Sequence, residues 1–320
     1  MRVNRRLQWA RLAICLAAAA HYCSVRAADA DGAVATAAAA PVAAAHPDAA
    51  RDPAAQMFEA GQRALSNKDY PAALRWLRDA AERGHAQAQS ALGGMYLAGQ
   101  GVAADDAQAF SWYRKAAEQG YAEAQANVGL MYAHGRGVAM DDEAAVKWFR
   151  LAADQENPAG QSNLGVMYLE GRGVDRNEAE AEKWLRMAAV QGEPLAQHNL
   201  GLLFRDGRGV EHDEIEAAWW FKKSAEEGNA DSQTQIGIMY REGRGVPQDD
   251  TEAVEWLRKG AGQGNALAQY YLGVSLAEGQ GAAQNLDEAL KWLTLSARQG
   301  LASARDYLWA NGNISVESLK

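Results

Sequence analysis

The apolar positions of this chain fall into a helical rhythm that restarts at fixed intervals. Between Ala86 and Leu97, the residues Ala88, Leu92, Met95 and Tyr96 follow the three-and-four spacing of one helix face. The turn Gly99-Gln100-Gly101-Val102 interrupts them, since glycine supplies the positive backbone angles of a tight connection. Asp105 then offers a side-chain acceptor to the free amides of a new helix start. The next stretch carries Ala109, Trp112, Tyr113 and Ala116 on one face. The pattern predicts a helix A, a glycine turn and a helix B.

The same unit recurs without a break in register. Trp76, Trp112, Trp148, Trp184, Trp220, Trp256 and Trp292 stand 36 residues apart each time. The glycine pair of the turn keeps that step, as Gly99 and Gly101 through to Gly279 and Gly281. So does the helix-start acceptor, as Asp141, Asn177, Asp213, Asp249 and Asn285. Gly120, Gly192, Gly228, Gly264 and Gly300 are predicted to cap the B helices in the left-handed conformation. Glu156 breaks that column, and the cap there is expected to move to Asn157, ahead of Pro158. A fixed period of this length marks a solenoid, in which each unit buries its apolar face on its neighbours. The expected fold is therefore an all-α solenoid, with the tryptophan column and the Met95, Met131, Met167 and Met239 column as core.

These residues resemble the Sel1-like repeat family, a relative of the tetratricopeptide repeat. The resemblance rests on Leu164-Gly165-x-Met167-Tyr168-x-x-Gly171-x-Gly173-Val174, then an Asp or Asn, then Ala181-x-x-Trp184 and Ala188-Ala189. It covers a short leading unit at 53–85, six full repeats over 86–300 and a terminal half unit at 301–310, leaving 311–320 as a tail. It implies antiparallel helix pairs in a right-handed superhelix that assembles protein complexes. In some exported members it implies restraint of a sensor kinase. A cysteine-rich branch of the family is associated with penicillin binding or hydrolysis; both cysteines here, Cys15 and Cys23, lie in the segment 1–27, and no Ser-x-x-Lys occurs.

The segment 1–27 reads as a cleaved secretory signal. Arg2, Arg5, Arg6 and Arg11 flank the start of an apolar run from Leu12 to Ala20, too short to span a bilayer, and a cleavage point follows Ala27. The Ala/Pro-rich stretch 28–52 reads as a flexible linker. Export makes a Gram-negative periplasm the expected compartment, with no stable membrane insertion after cleavage. The net charge is -9, and removing the five arginines up to Arg26 takes it to -14, a surface that repels nucleic acid.

Catalytic and metal constellations are missing from the sequence. None of His85, His134, His198 and His212 in the repeats shares one predicted helix with a second ligand three or four residues away. Gly273-Val274-Ser275-Leu276-Ala277 approximates a nucleophile elbow but falls inside a helix A. No cofactor, no metal and no enzymatic activity are expected, and the chain reads as a monomeric adaptor for protein partners.

Candidate binding positions are those that depart from the repeat or form apolar rows away from its core. The row containing Val166, Leu202 and Ile238 lies about 200° around the helix wheel from the Leu92 column, flanked by Asn127, Asn163 and Asn199. Such a row is an expected groove for an extended peptide on the concave face, unless neighbouring helices cover it. Trp219 stands where other repeats have charged or polar residues, which marks an exposed interface anchor. Tyr270 and Tyr271 replace small or amide-bearing residues, as a second surface or as filling near the terminal unit. Arg136, Arg172, Arg208 and Arg244 form a ladder expected to pair with acids such as Glu170, Asp206 and Glu242.

Overall fold

The computed structural model describes residues 52–312; the expected signal at 1–27, all but the last residue of the expected linker at 28–52, and residues 313–320 lie outside them. Every described element is a helix. The chain divides into two compact units, one ending at Asp141 and one beginning at Asp142.

The first unit contains α1 (Pro53–Ser66), α2 (Tyr70–Glu82), α3 (Ala86–Ala98), α4 (Asp106–Glu118) and α5 (Ala122–His134). Here α1 is held to α2 by a short link, Asn67 to Asp69, with Lys68 at φ 58°. Later pairs use the longer glycine turn, so α1 sits out of step with the other A helices. Its Gly61 faces Leu77 as Gly93 faces Tyr113.

The second unit contains α6 (Asp142–Ala153), α7 (Pro158–Glu170), α8 (Glu178–Val190), α9 (Pro194–Asp206), α10 (Glu214–Glu226), α11 (Ala230–Glu242), α12 (Asp250–Gly262), α13 (Ala266–Glu278), α14 (Leu286–Arg298) and α15 (Ala302–Gly312). Each helix packs on the next, so consecutive A and B helices form the pairs of an α-solenoid.

Helix boundaries follow the anticipated side chains. Asp105, Asn177, Asp213 and Asp249 each accept two amide hydrogens from the first turn of the following helix B. The A helices close on a left-handed glycine, Gly171 at φ 66° for example. Two residues on, Gly173 lies against the Asp142 carbonyl, with no room for a Cβ. Glu156 behaves otherwise than expected. It adopts φ 60° itself, and Asn157 instead starts α7 by accepting the Gly160 amide hydrogen at 2.8 Å.

The core sits one residue along helix B from the tryptophan column expected to form it. Leu77 and Tyr113 in the first unit, and Phe149, Leu185, Phe221, Leu257 and Leu293 in the second, are buried. Leu77, Tyr113, Leu185, Phe221, Leu257 and Leu293 press on a helix-A glycine: a Cβ on Gly165 would meet Leu185 at 2.7 Å. Of the tryptophans in the column, only Trp220 and Trp256 are buried, and Trp76 is exposed. The indole is too large for the close approach the glycine permits, so the column lies at the core's edge. Lys115 covers Trp112 at 3.9 Å and Lys259 covers Trp256 at 3.8 Å. The methionine column is buried as expected.

A buried glutamine ladder also joins the repeats. Gln161 donates to the Ala153 carbonyl, and its own carbonyl accepts from Gln191 in the next repeat at 2.8 Å. Gln233 and Gln269 accept likewise from Gln263 and Gln299. Where Glu227 replaces the donor, the Oε1 of Gln197 is buried without a partner.

Candidate functional site

The apolar row on the A helices is covered unevenly. Leu130, Ile238 and Val274 are buried, so the expected continuous exposed row is not present. Ile238 packs among Val254, Leu257 and Leu272. Val166 and Leu202 remain half-buried. Asn127 is half-buried on α5, whereas Asn163 is buried and spends its amide on the Ala159 carbonyl at 2.8 Å. Three of the expected residues come together between α7 and α9. Val166, Leu202 and Asn199 line an open depression of about 180 Å³, with Leu169 and Leu203 completing its apolar wall.

Arg208 of the arginine ladder lies in the lining of this depression. Within the ladder Arg244 pairs with the expected Glu242 at 2.7 Å, whereas the others have their principal partners in the preceding repeat. Arg136 forks onto Asp106 with bonds of 2.7 and 3.0 Å, and Arg172 onto Asp142 with bonds of 2.5 and 3.1 Å. These acids belong to the preceding repeat, in the first turn of a B helix, where the helix dipole already favours negative charge. The Asp142 carboxylate holds the Arg172 guanidinium above its usual range. Glu170 reaches Arg172 only at 3.5 Å. Arg208 meets Glu178 at 3.0 Å, and Arg176 meets the same carboxylate at 2.5 Å, so two cations lower its pKa. Glu170 and Arg208 are the two charged residues in the depression's lining.

The aromatic departures occupy different settings. Trp219 on α10 is 49% exposed and stands edge-on to Trp220, ring centres 4.4 Å apart. Ile215, one turn earlier, is also exposed. Tyr270 packs with Tyr307 and a cluster around Val274, Leu293 and Leu308, and burial pushes its hydroxyl pKa up. Tyr271 lies beneath the Arg241 guanidinium at 5.4 Å.

Two polar groupings in the second unit carried no sequence signal beyond single column breaks. His198 Nδ1 lies 2.8 Å from Ser232 Oγ, which donates to Ser224 Oγ, which donates to the Pro194 carbonyl. Glu193 caps α9 by accepting the Ala196 amide hydrogen at 2.6 Å, and burial raises its carboxyl pKa. Ser232 and Ser275 are both buried within helices, neither presented to a substrate. No group of three acids, histidines or cysteines converges as a metal site among the described residues.

Helix pairs of constant period, glycine-tight A–B contacts and ladders between repeats define a repeat solenoid. The chain belongs to the Sel1 repeat family: the Sel1 repeat model matches seven successive units, 50–85, 86–121, 122–157, 158–193, 194–229, 230–265 and 266–301. It is similar to the structure of c5321, described as a protective antigen of uropathogenic Escherichia coli strains with an SLR fold, at 39% identity and TM-score 0.70. That match covers 82% of this chain and 58% of the other, so this chain spans little more than half of that protein. A Sel1 repeat protein from Oxalobacter formigenes is 33% identical, with TM-score 0.67, over 75% of this chain and 96% of that one. None of the curated proteins matches the chain. The fold is an interaction scaffold of the kind that holds protein partners.

Proposed function

We propose that this Sel1 repeat protein is an exported, monomeric, non-enzymatic adaptor of a Gram-negative envelope, binding protein partners through the α7–α9 depression. The carrying observation is the half-open apolar wall of Val166, Leu169 and Leu202 with the Asn199 amide set in it. Apolar contact supplies affinity, and an amide fixes the position of a peptide backbone. The signal-like N-terminus supports export, and the E. coli relative's description as a protective antigen accords with an envelope protein.

Photo-crosslinking tests the reading. With a photoreactive residue at Leu202 or Asn199, the full chain in its own cells should give a discrete protein adduct after envelope fractionation. The same group at exposed Val190 should give none. Adducts of equal yield at all three positions, or none at the depression, would overturn the site, and retention of the protein in the cytoplasm would overturn the compartment.

A further inference from the structure

The depression exists because one column of the A helices changes character along the second unit. Arg205 in α9 donates to the side-chain carbonyl of Gln235 in the next repeat at 2.9 Å. One repeat further, Arg241 covers Tyr271. In both cases an arginine reaches across and occupies the next repeat's residue in the Asn199 column. At the equivalent place in α7 stands Leu169, which has no donor. The Asn199 side-chain amide consequently makes no hydrogen bond among the described residues, and Leu169 adds to the apolar wall around it.

Charge on the rim is also ordered. At the end of α7, Glu170, Arg172 and the Asp142 of the preceding repeat leave one negative charge uncancelled, because the bidentate bonds of Arg172 go to Asp142. After α9, Arg208 shares the single carboxylate of Glu178 with Arg176, the latter two both of the preceding repeat, leaving one positive charge. Of the two charges in the lining, Glu170 belongs to α7 and Arg208 to the turn after α9, while both helices contribute to the apolar wall. In an extended peptide, residues i and i±2 share a face and lie about 7 Å apart. The partners complementary to this arrangement are basic, aliphatic and acidic side chains at alternate positions.

We propose that the α7–α9 depression recognises an extended peptide segment of alternating pattern base-x-aliphatic-x-acid. Its aliphatic side chain enters the wall of Val166, Leu169 and Leu202, its backbone pairs with Asn199, and its two charges meet Glu170 and Arg208. This rests on the adaptor reading and supplies the chemistry of the partner.

The test uses the full mature chain with labelled Val and Leu methyl groups, titrated with N-acetylated, C-amidated Lys-Ala-Leu-Ala-Glu and with its reversed sequence. One of the two should shift the methyl signals of Val166, Leu169 and Leu202 saturably, and leave distant Leu308 unmoved. Exchanging the charged ends for Gln, or the central Leu for Ala, should weaken binding about tenfold, some 1.4 kcal/mol. The variant Leu169→Arg places the bridging cation of the next two repeats over Asn199, and should abolish binding while preserving helical content. Silent methyl groups with both peptides, equal binding of the Gln-ended peptide, or unimpaired binding by Leu169→Arg would each overturn the proposal. Crosslinks at Leu202 without peptide binding would overturn the stated chemistry and leave the adaptor site standing; peptide binding without crosslinks would do the reverse.

Discussion

At the scale of single residues, the columns turn small departures into measurable ones. Glu156 holds a left-handed conformation that glycine adopts at the same place in other repeats. Non-glycine residues are strained there, so Glu156→Gly should raise stability by about 1 kcal/mol, read as a higher denaturation midpoint with an unchanged slope. Glu227 leaves the Gln197 carbonyl oxygen buried and unpaired. Glu227→Gln restores the donor of the other repeats and should stabilise by about 1 kcal/mol. Leu185 and Trp184 separate the two candidate core columns. Leu185 is fully buried and Trp184 half-buried, so Leu185→Ala should cost about 2–5 kcal/mol and Trp184→Ala clearly less. The opposite order in chemical denaturation would restore the tryptophans to the core. The sequence already placed Tyr113 on the same face as Trp112; that its column and not the tryptophan column fills the core was hard to see because Leu, Tyr and Phe alternate in it, whereas Trp repeats unchanged.

At the scale of elements, helix starts and ends were legible because their chemistry is local. An Asp or Asn acceptor and a left-handed glycine act within one turn, and both appear in the sequence at fixed offsets. The coverage of the A face was not legible, because it depends on which side chain arrives from the neighbouring repeat. Leu202 and Ile238 share a column, yet one borders an opening and the other is buried. Arg172 has its strongest partner in Asp142 on another helix, so proximity in sequence favoured Glu170 wrongly. The start of α9 carries a pH dependence of its own. Burial raises the Glu193 carboxyl pKa, so the folded form binds its proton more tightly than the unfolded chain. That contribution is fully present below the unfolded value and is lost as pH rises through the folded one. Glu193→Gln should therefore melt higher than the natural chain near neutral pH, and the gap should close in mild acid. A gap that is constant with pH would show that Glu193 is solvated.

At the scale of the whole molecule, stability is distributed over repeats that touch chiefly their neighbours. Removing residues 158–193, one matched unit, joins Asn157 to Pro194. The splice is chemically continuous. Asn157 already caps a helix that opens on proline, and α9 opens on Pro194. Arg208 then takes the place relative to Asp142 from which Arg172 pairs with it now. Glu227 keeps its position relative to Gln197, so the orphaned carbonyl persists and adds no difference between the two chains. The shortened chain should keep its helical signal per residue and lose about 25 kcal/mol of calorimetric unfolding enthalpy, at ~0.7 kcal/mol for each residue of the unit removed. It also loses α7, and with it half of the depression, so the adduct expected from Leu202 should vanish while folding survives. Collapse of the helical signal would show that the repeats are not interchangeable modules, and an undiminished adduct would place the partner elsewhere.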